Sequence, residues 1–336
     1  MKIILTLIIL LICVFFIFNQ KNKNIEYLTS IHSLLTNKDK IFEIKRKVDE
    51  KDASLFNHLV ISNIPVTDKT ISIIMTASNR SKQTYFTLST IQNSSYKEIH
   101  IIIVDDSDED PIKKKELEKY PFYIDFISIN RPNKNWINPC VNYNIGFQYI
   151  KGTKIIIQNA EVCYVGDVLA YLGNQMTSDN YYVCDVRSSK SLDTNDSIYR
   201  NNINTIDIYK NDELFGMWYQ GKSRMSNFHF LVGMTLETFN KIKKFSYDYA
   251  FGVDYDDDDF LLKIKSKNIK IINLFYDENL FGGIHLFHNS SNRENIESNN
   301  NLYLKKNDVM LKSGEYIDIT ENIDLFNEKY NIIFNN

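Results

Sequence analysis

The side chains most able to do chemistry in this chain stand where apolar runs end. The run Ile71–Met75 closes in the small polar turn Thr76-Ala77-Ser78-Asn79-Arg80, and the run Ile99–Val104 closes at Asp105-Asp106. A turn of small residues lets a planar ring approach the backbone, and an aspartate at a strand end offers an acceptor to an imide N–H. The pair therefore suits a uracil-like base, although a helix start capped by Ser78 or Asn79 explains the turn as well. A third run, Ile155–Gln158, ends in Asn159-Ala160-Glu161 and follows Asn144-Ile145-Gly146 and Lys151-Gly152. A fourth feature is the acidic stretch Asp254 to Asp259, which opens a helix-like run. Carboxylates favour a helix N-terminus, so a solvated cap is its plainest reading. An EF-hand loop fits poorly, because its sixth and twelfth positions hold Asp259 and Lys265 instead of Gly and Glu. Two imidazoles three apart, His285 and His288, follow Gly282-Gly283 and suit a metal ion or a phosphate.

These groups need elements to position them. Apolar runs predict strands at 71–76, 99–104, 124–129, 154–158, 181–186, 228–233 and 270–275. Helices are expected at 82–93, 111–119, 141–150, 166–177, 235–244 and 257–267. Strict alternation in the first half implies an α/β sandwich with a mostly parallel sheet, and the second half is more mixed. In such sheets ligands bind beyond the carboxyl ends of the strands, so the 77–80 turn and Asp106 should face one crevice.

Taken together, the spacing of Asn79-Arg80, Val104-Asp105-Asp106, Asn144-x-Gly146, Lys151-Gly152 and Asn159-Ala160-Glu161 resembles that of the family 2 glycosyltransferases. The resemblance spans about residues 70–290. It implies a GT-A type, Rossmann-like α/β/α sandwich that inverts the sugar transferred from a nucleotide donor. Ala77, Ser78, Asn79, Arg80, Asp106, Asn144 and Asn159 would then bind a UDP- or GDP-sugar. The family holds a divalent cation between two aspartates, where this chain has Asn159 and Glu161. Glu161 can still bind Mn2+ or Mg2+, with His285 or His288 as a further ligand, but a neutral Asn159 weakens the site. The frame Asp256-Asp257-x-x-Phe260-x-x-Lys263 fits the acidic motif of the family, which makes Asp257 the base that deprotonates an acceptor hydroxyl. Asp258 is the next candidate by register, and Asp256 stands beside them. Trp218 and Tyr219 offer an aromatic wall for a sugar acceptor or donor, or a piece of core. Gly282-Gly283 suggests a mobile loop over the donor.

The rest of the composition sets bounds. Lys and Arg number 39 against 42 Asp and Glu, a net charge of −3, which argues against a nucleic-acid partner. The four cysteines form no CxxC pair and suggest neither a disulfide framework nor a zinc site. Residues 1–24 carry an apolar run from Ile3 to Phe18, short for a bilayer span and without a small-residue cleavage site after it. They are expected to act as an uncleaved signal anchor in a membrane, with a cleaved signal and secretion, or a buried helix, as alternatives. Residues 25–69 are expected to form a stem, 70–290 the catalytic domain, and 291–336 a linker and tail. The resemblance implies an acceptor hydroxyl on a glycan, protein or lipid. A transferase-like binding protein without turnover is the competing reading, supported by Asn159 but opposed by the acidic run. A nucleotidyltransferase lacks its Gly-rich phosphate loop here.

Overall fold

The structure is a computed structural model, and it describes residues 32–62, 64–200, 213–220, 226–289 and 295–322. The expected anchor lies outside these residues, as does the tail beyond 322. Among the described residues no helix is long and apolar enough to cross a membrane.

Isoleucine-rich runs form the centre of the molecule. Strands β1 (Phe56–Ser62), β2 (Ile71–Ala77), β3 (Ile99–Asp105), β4 (Tyr123–Ile129) and β5 (Lys154–Asn159) belong to one eight-stranded sheet. Strand β2 pairs in parallel with β3 and β5, and β3 with β4. β2 and β3 are almost wholly buried, which is why they read as continuous apolar runs and not as alternating ones. After β6 (Val162–Val165), β7 (Asn180–Cys184), β8 (Val186–Ser189) and β9 (Phe215–Gln220), the chain returns to the large sheet. There β10 (Leu231–Thr235) runs antiparallel to both β5 and β7, and β11 (Lys270–Leu274) lies parallel to β7. Strand β12 (Gly282–His285) completes a four-stranded sheet in the order β6-β12-β8-β9. The sheet is thus mixed, as expected for the second half.

Helices Ser81–Gln92 and Cys140–Phe147 connect the parallel strands. A Cβ on Gly146 would lie 2.9 Å from the Ile74 side chain, so this helix needs glycine to sit so close to the sheet.

Several expectations change. The segment 181–186 is two strands, because the chain leaves one sheet for the other at Asp185. The amide of Asp185 donates to Leu274 O (3.2 Å) and its carbonyl accepts from Gly283 (2.8 Å). The expected helix at 111–119 shrinks to Lys114–Leu117, and the strand expected at 228–233 runs over 231–235. The stem is no spacer. Helix Lys38–Asp49 buries Ile41, Ile44 and Val48 in the same core as β2 and β3, and β1 forms a full antiparallel ladder with β4. The linker and tail include an 18-residue helix, Ile296–Ser313, packed on helix Asp256–Ser266. Gly282-Gly283 is not a loop but a buried strand, where a Cβ on Gly283 would meet Val162 at 2.8 Å. The described cysteines, Cys140, Cys163 and Cys184, are buried free thiols.

Candidate active site

Beyond the carboxyl ends of β2, β3 and β5 the chain gathers three polar clusters. The first surrounds Asp106. Its amide donates to Ala77 O at 2.9 Å, which joins the two strand ends. Its buried carboxylate takes an ion pair from Lys134 and a hydrogen bond from Asn142 Nδ2 (3.0 Å), and Trp136 Nε1 donates to Asn142 Oδ1 (2.9 Å). Burial raises the Asp106 pKa, but Lys134, Asn142 and Ser78 outweigh it and hold the carboxyl below its ordinary range. Asp105, by contrast, accepts from Ser107 (2.5 Å) and from the Ile112 amide (2.8 Å), which shapes the following loop. Asn79, at φ 54°, is spent in the same way. Its Oδ1 accepts from the amides of Asp108, Glu109 and Asp110, and its Nδ2 donates to Asp108 (2.7 Å). It organises the 108–110 loop, which occupies its side chain.

The second cluster centres on Glu161, which is wholly buried just beyond β5. The β6–β12 ladder sets His285 opposite Val162, and Leu286 N donates to Glu161 O at 3.0 Å, so the two strands deliver both imidazoles to this carboxylate. Oε1 meets Arg80, His285 Nε2 (3.2 Å) and His288 Nε2 (3.4 Å), while Oε2 has no hydrogen-bond partner. Burial opposes ionisation of Glu161, but Arg80 and the two imidazoles prevail and hold its pKa well down. Burial lowers that of His285 despite Glu161, so this ring favours the neutral form a metal ligand requires. Tyr219 packs edge-on against His285, with ring centroids 4.7 Å apart. Its neighbour Trp218 pairs in register with Arg187, whose guanidinium lies 5.2 Å from the indole, on the opposite side of β9. Trp218 therefore belongs to the core of the small sheet, and only Tyr219 reaches the cluster.

The third cluster opens helix Asp256–Ser266. Asp257 pairs with His229, and Asp256 accepts from Asn138 Nδ2 at 3.1 Å. Burial, with Asp257 next, raises the Asp256 pKa to about 7. Asp258 is half-buried, on the side where its charge acts on Tyr303 of the C-terminal helix. Asp259 is buried elsewhere, with Lys306 at 2.9 Å and Tyr249 at 3.2 Å.

One segment ties the clusters together. Asn138 holds Asp256, Asn142 holds Asp106, and Tyr143 donates to Asn159 Oδ1 (3.3 Å) and packs edge-on to His229 (4.9 Å). Asn144, expected in the donor site, faces away. Both its amide atoms bind the Phe245 backbone, Oδ1 at 2.9 Å and Nδ2 at 3.0 Å. Lys134, Asn138, Asn142 and His229 were not singled out by their sequence pattern. Asn138 and Asn142, four apart around the start of a helix, were the one available signal.

The glycosyl transferase family 2 profile matches residues 72–236. No curated protein matches the chain. Among solved structures, S. aureus TarS 1-349 aligns at 15% identity with a TM-score of 0.43, covering 61% of this chain and 58% of that one. The same protein in complex with UDP-GlcNAc aligns at 14% and 0.45, covering 66% and 60%. Mannosyltransferase PcManGT from Pyrobaculum calidifontis, in complex with GDP-Man and Mn2+, aligns at 12% and 0.43, covering 92% and 81%. The chain thus spans less than two thirds of the length of the TarS structures. The profile match covers β2 through β10, the strands that carry the first cluster, Glu161 and His229, so residues 72–236 of this chain are similar to glycosyl transferase family 2.

Proposed function

We propose that the protein transfers a sugar from a nucleotide-sugar donor, a UDP- or GDP-sugar, to a hydroxyl on a glycan, protein or lipid, with inversion at the anomeric carbon. The observation that carries this reading is the 138–143 segment, whose side chains bond to Asp106, Asp256 and Asn159 alike. Asp106 sits where it can accept a base N–H, with Lys134 and Asn142 fixing its orientation. Arg80 supplies fixed positive charge near the diphosphate, and Tyr219 covers the His285 side. Asp257, half-open to solvent, takes the proton of the acceptor hydroxyl. The acceptor oxygen forms its bond to the anomeric carbon as the bond to the diphosphate breaks, and the nucleoside diphosphate leaves.

The residues present fit a divalent cation. A wholly buried carboxylate with one unpartnered oxygen, and with two imidazoles beside Arg80 on the other, offers a ligand set for Mn2+ ahead of Mg2+, with the guanidinium as a competing charge. Glu161, His285 and His288 would hold it. Bound there, the ion supplies positive charge that stabilises the leaving diphosphate. Membrane attachment through residues 1–24 belongs to the same proposal. The test is hydrolysis and transfer measured over a panel of UDP- and GDP-sugars, with and without Mn2+. Turnover of at least one donor supports the reading, and none on any donor overturns it.

A further inference from the structure

Among the acids that open helix Asp256–Ser266, Asp257 is held in a distinct way. Asp256 and Asp259 are 5% and 1% exposed and have partners inside the fold, whereas the Asp257 side chain is 26% exposed and its Oδ1 meets Nδ1 of His229. His229 is itself 5% exposed and precedes β10, which lies between β5 and β7 in the large sheet. Its ring is fixed by the edges of Tyr143 and Phe245, each with a centroid 4.9 Å away. Burial of an imidazole between aromatic rings disfavours its charged form, yet the two aspartates overcome this and raise its pKa. The charged groups acting on it are Asp257 and Asp256 from the helix, and the Tyr143 ring from helix Cys140–Phe147 packs against it.

We propose that His229 is the positioning residue for Asp257: it grips the carboxylate from the buried side and leaves the rest of it turned to the crevice, where an acceptor hydroxyl arrives. The inference rests on the transferase reading above. A carboxylate on a helix start samples several rotamers. Gripping one oxygen selects a single rotamer, and misplacing a reacting group by about 1 Å can cost about 10²-fold in rate.

Two substitutions separate a polar-contact role for Nδ1 from a packing role. His229→Phe keeps the ring between Tyr143 and Phe245 but removes Nδ1. His229→Asn removes the ring but keeps an N–H donor near the Nδ1 position. The expected result is a fall in kcat of about 10²-fold for H229F with the donor KM unchanged, and recovery of most of the rate in H229N. The reverse order, with H229F active and H229N impaired, overturns the proposal in favour of packing, and wild-type rates in both overturn it outright. A measurement independent of turnover uses the full chain with the 229 side chain intact. The His229 imidazole is titrated by NMR in wild type and in Asp257→Asn, its signal assigned by its loss in H229N. A lower pKa in D257N supports the pairing, and an unchanged one overturns it. Wild type that turns over no donor overturns the transferase reading and this inference with it, whereas an active wild type beside indifferent 229 variants overturns this inference alone.

Discussion

The Arg80 guanidinium lies on the same oxygen of Glu161 that the two imidazoles share, so a fixed cation already sits where a divalent ion would bind. Arg80 ends the turn after β2, just before helix Ser81–Gln92, and Glu161 follows β5, the parallel partner of β2. The pairing is therefore built into the strand order. A single carboxylate balanced by one guanidinium leaves no uncompensated charge in this buried site.

Removing that guanidinium has two consequences. Arg80→Met should lower stability by about 1–3 kcal/mol, since Glu161 stays buried with only imidazoles beside it. It should also tighten Mn2+ binding, because a competing positive charge is gone. Urea unfolding and calorimetric Mn2+ titration check the two effects, and weaker Mn2+ binding would argue against a cation at Glu161.

Asp106→Ala should weaken UDP or GDP binding without unfolding the domain. The carboxylate lies at a strand end, its partners Lys134 and Asn142 reach it from a loop and a helix start, and the strand pairing of β3 does not use its side chain. Nucleotide titration beside a thermal melt tests this. Equal affinity in mutant and wild type would remove Asp106 from the site.

Most of the strand framework is legible in the sequence because β2, β3 and β5 are buried on both faces and so read as isoleucine runs. β1 escapes notice because only Phe56 and Ile61 are buried while Asn57, His58, Val60 and Ser62 are exposed, which leaves neither an apolar run nor a strict alternation. Asp106, Arg80, Glu161, His285 and Asp257 stand out by type and spacing. Their partners do not. Lys134 and Asn142 reach Asp106 from 28 and 36 residues away, and His229 reaches Asp257 across a strand and a helix. Such pairings depend on tertiary closure, which local pattern does not encode. Asn144 shows the converse: it fits a motif, yet its amide pins the Phe245 backbone.

The acidic helix start should make stability depend on pH. The Asp256 pKa rises from 3.8 to about 7, first by burial and then by Asp257. A raised pKa means that the folded state holds a proton the unfolded state releases. Its contribution to stability is therefore complete below about pH 4 and is lost as the pH rises through about 7. His229, also raised, acts in the same direction from its ordinary 6.5 upward. Asp256→Asn should flatten the fall in unfolding midpoint between pH 4 and 7. An unchanged slope would place the titration elsewhere.

The C-terminal helix should prove integral to the domain. Lys306 is 3% exposed and pairs with Asp248 at 3.0 Å and Asp259 at 2.9 Å, which locks helix Ile296–Ser313 onto the helix that carries Asp257. Lys306→Met should cost about 3–5 kcal/mol, because two buried carboxylates lose their cation. Urea denaturation measures this, and a loss below about 1 kcal/mol would mean that these carboxylates are neutral in the fold.

The central claim is that Asp257 is the base of a sugar transfer. Transfer rate and donor affinity measured together for Asp257→Asn and Asp258→Asn test it most directly. The account predicts a loss of about 10²–10⁴-fold in transfer for D257N with donor binding nearly unchanged, and a near wild-type rate for D258N. Wild-type transfer by D257N, or an equal loss in both variants, would contradict it.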